Sequence, residues 1–370
     1  MSSYFEINKS RKGFVIAVDE SGENAPVFDP KRMDFRYNID KPVAMLFLLG
    51  IRRAELEPLA HDWDLVRGKI KDELGLDSLP PIHMRLMWGK KLNEKAPRLG
   101  RNPYVDASQE QIYKWVKLLL EVWHKYGRRR GAFKVEVASI DVKGHGKNWA
   151  YFMGDMSDWE TLKQRIGRKA FSGFTNALTN PYLHLLYDAI YGAASLFRTS
   201  KHSTLILDES SHASGFDTTA MIQYLLQNGY LGSIDNVYMV NNGEITYEDC
   251  IAVQIADFYG YLKLKKELHD PVAQELLGHE TPQAYMKRKA SIGPPMPPPR
   301  DASLLFRYEL GYRRAVANNP NAKDYLLNPR EYAEALMSVR EANKLPIATH
   351  SIFVHPFKWK KRLEVRIMHI

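Results

Sequence analysis

Three short segments of this chain put carboxylates where they are hard to accommodate: Val18-Asp19-Glu20-Ser21, Leu207-Asp208-Glu209-Ser210 and Gln254-Ile255-Ala256-Asp257. The first two follow short apolar runs, Phe14 to Val18 and Ser203 to Leu207. Runs of that kind without alternation predict strands covered on both faces. Two strands that each end in Asp-Glu-Ser place Asp19 and Asp208 at the carboxyl edge of a sheet, where open α/β folds keep their sites. Asp and Ser after a strand also begin turns and cap helices, so neither strand end by itself requires chemistry.

The third segment is more demanding. From Cys250 to Leu262 a predicted helix is apolar or small on nearly every side. Only Gln254 and Asp257 interrupt it, one turn apart on one face. A carboxylate in such surroundings is costly unless a metal or a cation compensates it. A structural ion pair with a buried arginine would satisfy Asp257 alone; convergence with two strand-end acids favours a metal. Oxygen ligands suit hard cations, Mg2+ or Mn2+, rather than zinc. Such ions relieve repulsion among the acids, activate a water and stabilise the leaving oxygen of an in-line phosphoryl displacement. Asp19, Asp208 and Asp257 are therefore expected as catalytic and metal-binding residues of a phosphodiester hydrolase. Glu20, Glu209 and Gln254 are secondary candidates, with the two glutamates subject to the rule that neighbours in a strand face opposite sides.

Composition fits a polyanionic substrate. The 370 residues carry a formal charge of +9 and a pI near 9.3, which attracts nucleic acid. Two basic clusters are candidate nucleic-acid contacts: Arg128, Arg129 and Arg130, and Lys358, Lys360, Lys361 and Arg362. Phe353, Phe357 and Trp359 interleave the second in the manner of a base-stacking surface, though a solvated charged face accounts for it equally well. Hydrophobic residues at 45% and charged residues at 26% exclude a disordered or fibrous chain. A single cysteine, Cys250, excludes an intrachain disulfide and a thiolate zinc cluster, and points to a reducing, cytoplasmic setting. The longest apolar run, Val43 to Ile51, is too short to span a bilayer, so no membrane partner is expected.

Elements must hold those acids in place. Val43 to Ile51 reads as a hairpin partner for the first strand, and residues 54 to 75 as a helix ending at Gly75. Residues 79 to 103 form an irregular basic excursion, and Gln109 to Tyr126 a helix whose apolar face runs from Ile112 through Trp115, Leu119 and Trp123. A strand over 134 to 142, one long helix over 174 to 197, a helix near 216 to 228, a strand at 237 to 240 and a helix from 247 to 266 complete an α/β unit. Lys143-Gly144-His145-Gly146-Lys147 reads as a flexible turn, because it lacks the setting of a phosphate loop. The division expected is a domain over 1–268, a proline-rich linker over 269–300 and a helical, basic extension over 301–370, with helices near 301–318 and 329–343.

The ordered motifs, Asp19-Glu20-Ser21-Gly22, Leu207-Asp208-Glu209 and Gln254-Ile255-Ala256-Asp257, resemble the prokaryotic domain of unknown function 3800 family, which is assigned to the ribonuclease H-like superfamily. The resemblance spans about residues 13 to 266 and implies a mixed central sheet flanked by helices. It also implies that Asp19 bridges two metals while Asp208 and Asp257 each hold one. Family members often carry a histidine after the first helix, and Ile82-His83 resembles it, making His83 a candidate proton shuttle or phosphate contact. The pattern does not cover the segment after about residue 270.

Two other functions compete. An inactive module that binds nucleic acid or a protein partner, in a prokaryotic defence or mobile-element complex, would keep this scaffold without turnover. A phosphatase of the haloacid dehalogenase type also begins with an apolar strand ending in Asp, but it needs an acid two residues later, where this chain has Ser21.

Overall fold

The structure, a computed structural model, describes residues 13–22, 26–36, 43–88, 102–187, 203–207, 234–240, 246–247, 250–278, 299–346 and 349–369. Asp208, Glu209, the helix expected near 216–228 and the proline-rich run at 293–298 lie outside the described residues.

A five-stranded mixed sheet forms the centre, in the order β5-β4-β1-β6-β7. Its strands are β1 (Phe14–Gly22), β4 (Val43–Arg52), β5 (Phe133–Asp141), β6 (Ser203–Leu207) and β7 (Ile234–Met239), and a two-residue-per-strand hairpin, β2 (Phe28–Asp29) with β3 (Asp34–Phe35), lies apart. β4 runs antiparallel to both β1 and β5, whereas β1, β6 and β7 are parallel. Val15, Ile16, Ala17, Leu205 and Ile206 have no solvent exposure, as their unbroken apolar runs require. β1 does not stop at Val18. It continues through Asp19 to Gly22 because β4 keeps pairing with it; among the described residues its parallel pairs with β6 run from Val15–Thr204 to Val18–Leu207.

Alternation divides the side chains of β1 between two cores. Val15 and Ala17 face α1 (Arg53–Leu74), α2 (Met84–Trp88), α3 (Gln109–Gly127) and α7 (Ile251–Glu267). Phe14, Ile16 and Val18 face α4 (Val142–Met153), α5 (Met156–Ile166), α6 (Arg168–Thr179), α9 (Pro299–Asn318) and α10 (Pro329–Asn343). The expected end of α1 is confirmed, Gly75 taking a left-handed conformation that other residues reach only with strain. α3 begins in a capping box between Ser108 and Gln111, worth about 1 kcal/mol.

Several expectations change. The single helix over 174–197 is broken, because Pro181 has no N–H to donate and holds Asn180 extended at φ −68°, ψ 116°. The Asn180 side chain then accepts the Tyr182 N–H at 2.8 Å and a new helix covers 181–187. Lys143 to Lys147 is not a turn but the first part of α4, since the Asp141 carboxylate caps the N–H groups of Lys143 and Gly144 at 3.1 and 2.9 Å. Part of the expected linker is the helix α8 (Pro271–Leu277), packed on α7 through Ala273 and Leu277.

The C-terminal segment is built into the fold. Phe306, Tyr308, Tyr332, Phe353 and Phe357 share one hydrophobic cluster with β1 and α6, and Gly311 lets α9 close on the α6 backbone at Phe174. The chain ends in a hairpin of β8 (His350–Val354) with β9 (Val365–His369). Among the described residues no helix is long and apolar enough to cross a membrane.

Candidate active site

Asp19 and Asp257 meet on the α7 face of the sheet. Asp19 shares the parity of Val15 and Ala17, so its side chain turns toward that face, where it is 6% exposed. Asp257 is also 6% exposed, and Gly260 sits one turn further along the same helical face. A Cβ added to Gly260 would stand 3.0 Å from the Phe47 Cβ and 3.6 Å from Oδ2 of Asp19. The missing side chain lets α7 lie directly on β1 and β4, with the Asp19 carboxylate against the face that carries Asp257.

The second carboxylate is held from one side by a backbone N–H, a phenol and an imidazole. Oδ2 of Asp257 accepts the Met84 N–H at 2.8 Å and lies 3.1 Å from the Tyr247 hydroxyl and 3.0 Å from Nδ1 of His83. Among the described residues no arginine pairs with it. The buried arginine nearby, Arg67, ion-pairs with Asp64 at 2.7 Å instead and donates to the carbonyls of Pro80 and Leu79.

A strap of backbone from Leu79 to Met84 carries His83, and side chains from α1, from α7 and from the turns at Tyr104 and Tyr247 hold it. Besides Arg67, the Tyr104 hydroxyl donates to the Pro81 carbonyl at 2.6 Å and the Tyr247 hydroxyl lies 3.0 Å from the Ile82 carbonyl. Gln254 accepts the Ile82 N–H at 3.0 Å and donates to the Tyr247 carbonyl at 3.0 Å. Irregular backbone must satisfy its polar groups when buried, and here it does so against side chains. His83 itself is about one-third exposed, its ring 5.4 Å from that of Tyr247. Burial pushes the Tyr261 phenol up to about 12, with the Asp257 charge adding to the effect. Burial likewise raises the Tyr104 phenol far above its ordinary value, Arg67 opposing and Asp257 reinforcing. Both phenols stay protonated.

The predicted site residues therefore separate. His83 lies against Asp257, and Asp19 packs on the same α7 face at Gly260, while Gln254 stands one turn from Asp257 with both ends of its amide hydrogen-bonded to backbone. Glu20 falls on the opposite strand face from Asp19 and is part-exposed. Tyr247, Tyr104 and Arg67 form part of the site's support and were not apparent in the sequence, since no spacing links them to Ile82.

The basic clusters lie elsewhere. Asp19 pairs across the sheet with Phe47, and Phe47 with Val137. Arg128, Arg129 and Arg130 precede Phe133, at the end where β1 begins, so the acids and the arginines are at opposite ends of the sheet. Arg129 pairs with Glu55 at 2.6 Å and lies over the Tyr126 ring. Lys358, Lys360, Lys361 and Arg362 occupy the β8–β9 turn on the other face, where Lys358 pairs with Glu331 and Lys360 with Asp158. Phe353 and Phe357, at 0% and 1% exposure, are core residues and cannot stack on bases; Trp359 alone is part-exposed.

Among the described residues no three acid, histidine or cysteine side chains form a metal-holding group. No family model, curated protein or solved structure matches the chain.

Proposed function

We propose that this protein is a Mg2+- or Mn2+-dependent nuclease with a ribonuclease H-like site. The observation that carries the reading is the packing of the Asp19 carboxylate against the α7 face of Asp257, across a glycine, with both acids buried. Two buried carboxylates in one crevice repel each other, and a divalent cation relieves that repulsion. Support also comes from the mixed sheet flanked by helices, from the resemblance of the three motifs, and from the register that brings Leu207, the neighbour of Asp208, beside Val18, the neighbour of Asp19.

When bound, such an ion supplies an activated water and charge neutralisation at a phosphodiester. Asp19, Asp208 and Asp257 would hold it. The chain's own further contribution is His83. With a proton on the nitrogen nearest Asp257, its Nε2 is left as an acceptor at a part-exposed position, suited to take a proton from water or return one to a leaving oxygen. The strap fixes that imidazole through the Ile82 and Met84 backbone. Asn102 donates to the Leu86 carbonyl at 3.2 Å, tying the segment after residue 101 to α2.

The test is a cleavage panel of labelled single- and double-stranded RNA, DNA and hybrid, with Mg2+, Mn2+ or chelator, for the wild type and Asp257→Asn. Metal-dependent cleavage by the wild type, lost in the folded variant, is the expected result. Nucleic-acid or protein binding that ignores divalent ions, with no cleavage of any polymer, would replace the nuclease with an interaction module.

A further inference from the structure

The terminal hairpin carries two histidines that have no part in the acid crevice. His350 begins β8 and His369 ends β9, and the register sets them directly opposite each other at the open end of the ladder. Residues so placed share one face, with Cβ atoms about 4.5–5.5 Å apart. The two rings meet at a centre-to-centre distance of 4.8 Å, with their planes at 72°. Two positions further along the same face Ile352 opposes Ile367, and Ile352, 2% exposed, anchors the hairpin in the core.

That separation has a chemical meaning. An imidazole nitrogen binds zinc at about 2.0–2.1 Å, so two rings on one tetrahedral ion have their centres about 5 Å apart. The hairpin thus holds the pair at the spacing of a bidentate chelate. One ring also has an oxygen partner of the kind that orients a ligand. Nδ1 of His350 lies 2.8 Å from the Thr349 hydroxyl, which can accept its proton and leave the Nε2 lone pair for an ion. Histidine ligands commonly donate their second N–H in this way. His369 is exposed and His350 half-buried, so an ion reaches both from solvent.

The surroundings select the ion. Among the described residues neither ring has a carboxylate partner, and Arg340, which donates to the His350 carbonyl at 3.1 Å, is neutralised by its fork on Asp301. Two imidazole nitrogens without an anionic oxygen suit a borderline cation such as Zn2+ or Ni2+, not Mg2+. The acid crevice has the opposite preference.

We infer that His350 and His369 form a two-histidine site for a zinc-class divalent cation, with water in the remaining positions, that clips the open end of the β8–β9 hairpin. The inference is independent of the nuclease reading. Zinc binding is measured by calorimetry on the full chain without a histidine tag, in the Asp257→Asn background so that the acid crevice is disabled. Replacing either ring leaves a single ligand, so His369→Gln and His350→Gln should each weaken one zinc site about tenfold or more. Zinc should also raise the unfolding temperature, because the ion binds the native hairpin alone, and His369→Gln should remove that rise. Imidazole NMR on the wild type supplies a second reading, in which zinc shifts the resonances of both His350 and His369 and Mg2+ shifts neither. Zinc affinity that survives His369→Gln or His350→Gln overturns the inference. So do His350 and His369 resonances that stay in place at millimolar zinc.

Discussion

Asp301 and Asp257 are buried to the same degree, at 5% and 6% exposure, yet the protein treats them differently. Asp301 receives a forked guanidinium from Arg340, which closes both of its oxygens and also reaches the His350 carbonyl at 3.1 Å. Asp257 receives a backbone N–H, with a phenol and an imidazole also at its Oδ2, and stands in a crevice with another acid. The first arrangement ends its interactions within the protein. The second orients a carboxylate with a backbone N–H, a phenol and an imidazole, and with no guanidinium among the described residues. Burial alone does not distinguish these two acids; their partners do.

The comparison breaks most sharply under isosteric substitution. Asp301→Asn leaves Arg340 as an uncompensated buried charge and should destabilise the fold by about 3–5 kcal/mol. Cleavage per folded molecule should be unchanged. Asp257→Asn keeps an oxygen for the Met84 N–H and should cost less than about 1 kcal/mol without metal, while abolishing cleavage. Urea unfolding and the cleavage assay on the two variants decide this. A large stability loss for Asp257→Asn with activity retained would reduce Asp257 to a structural acid like Asp301.

Tyr247 sharpens the same contrast at smaller scale. Its hydroxyl has one proton for two acceptors, the Ile82 carbonyl and Asp257, at 3.0 and 3.1 Å. Tyr247→Phe removes that donor from a buried site and should cost about 1–2 kcal/mol of stability. On the proposed nuclease reading, in which the strap also aims His83, turnover should fall about 10- to 100-fold, the loss typical of groups that orient metal ligands. The split to look for is in kcat with KM little changed. Loss of stability with full turnover would show that the strap only packs.

Much of this architecture was legible because it rests on local pattern. The unbroken apolar runs at Phe14 and Val43 gave buried strands, and the periodicity from Ile112 to Trp123 gave α3 with the correct inner face. Gln254 and Asp257 stood out because a polar pair inside an apolar helix must be accounted for. The strap did not stand out, since it is secured by residues as far as 173 positions away and by atoms that leave no periodic trace. The place of the C-terminal segment was hidden for the same reason: α9 lacks any local mark of its fit against α6, which depends on Gly311 meeting the Phe174 carbonyl. The break at Pro181, by contrast, was readable from proline chemistry and was overridden by the apolar spacing on either side of it.

The smallest effects expected concern the basic clusters, where charge composition raised a nucleic-acid partner as an expectation without placing it. Arg128, Arg129 and Arg130 are exposed and stand at the end of the sheet away from Asp19. Replacing all three with Gln should change stability by less than about 0.5 kcal/mol, because exposed pairs such as Arg129–Glu55 contribute little. If the nucleic acid runs through the crevice under His83 and not along this edge, the slope of log binding constant against log salt should also be unchanged. If three phosphates are held there, the slope should fall by about 2.7 for a duplex. Fluorescence anisotropy of a labelled duplex over a salt series measures that slope. A fall of that size would extend the substrate path along the full length of the sheet, and the separation between acids and arginines would then measure how much polymer the protein covers.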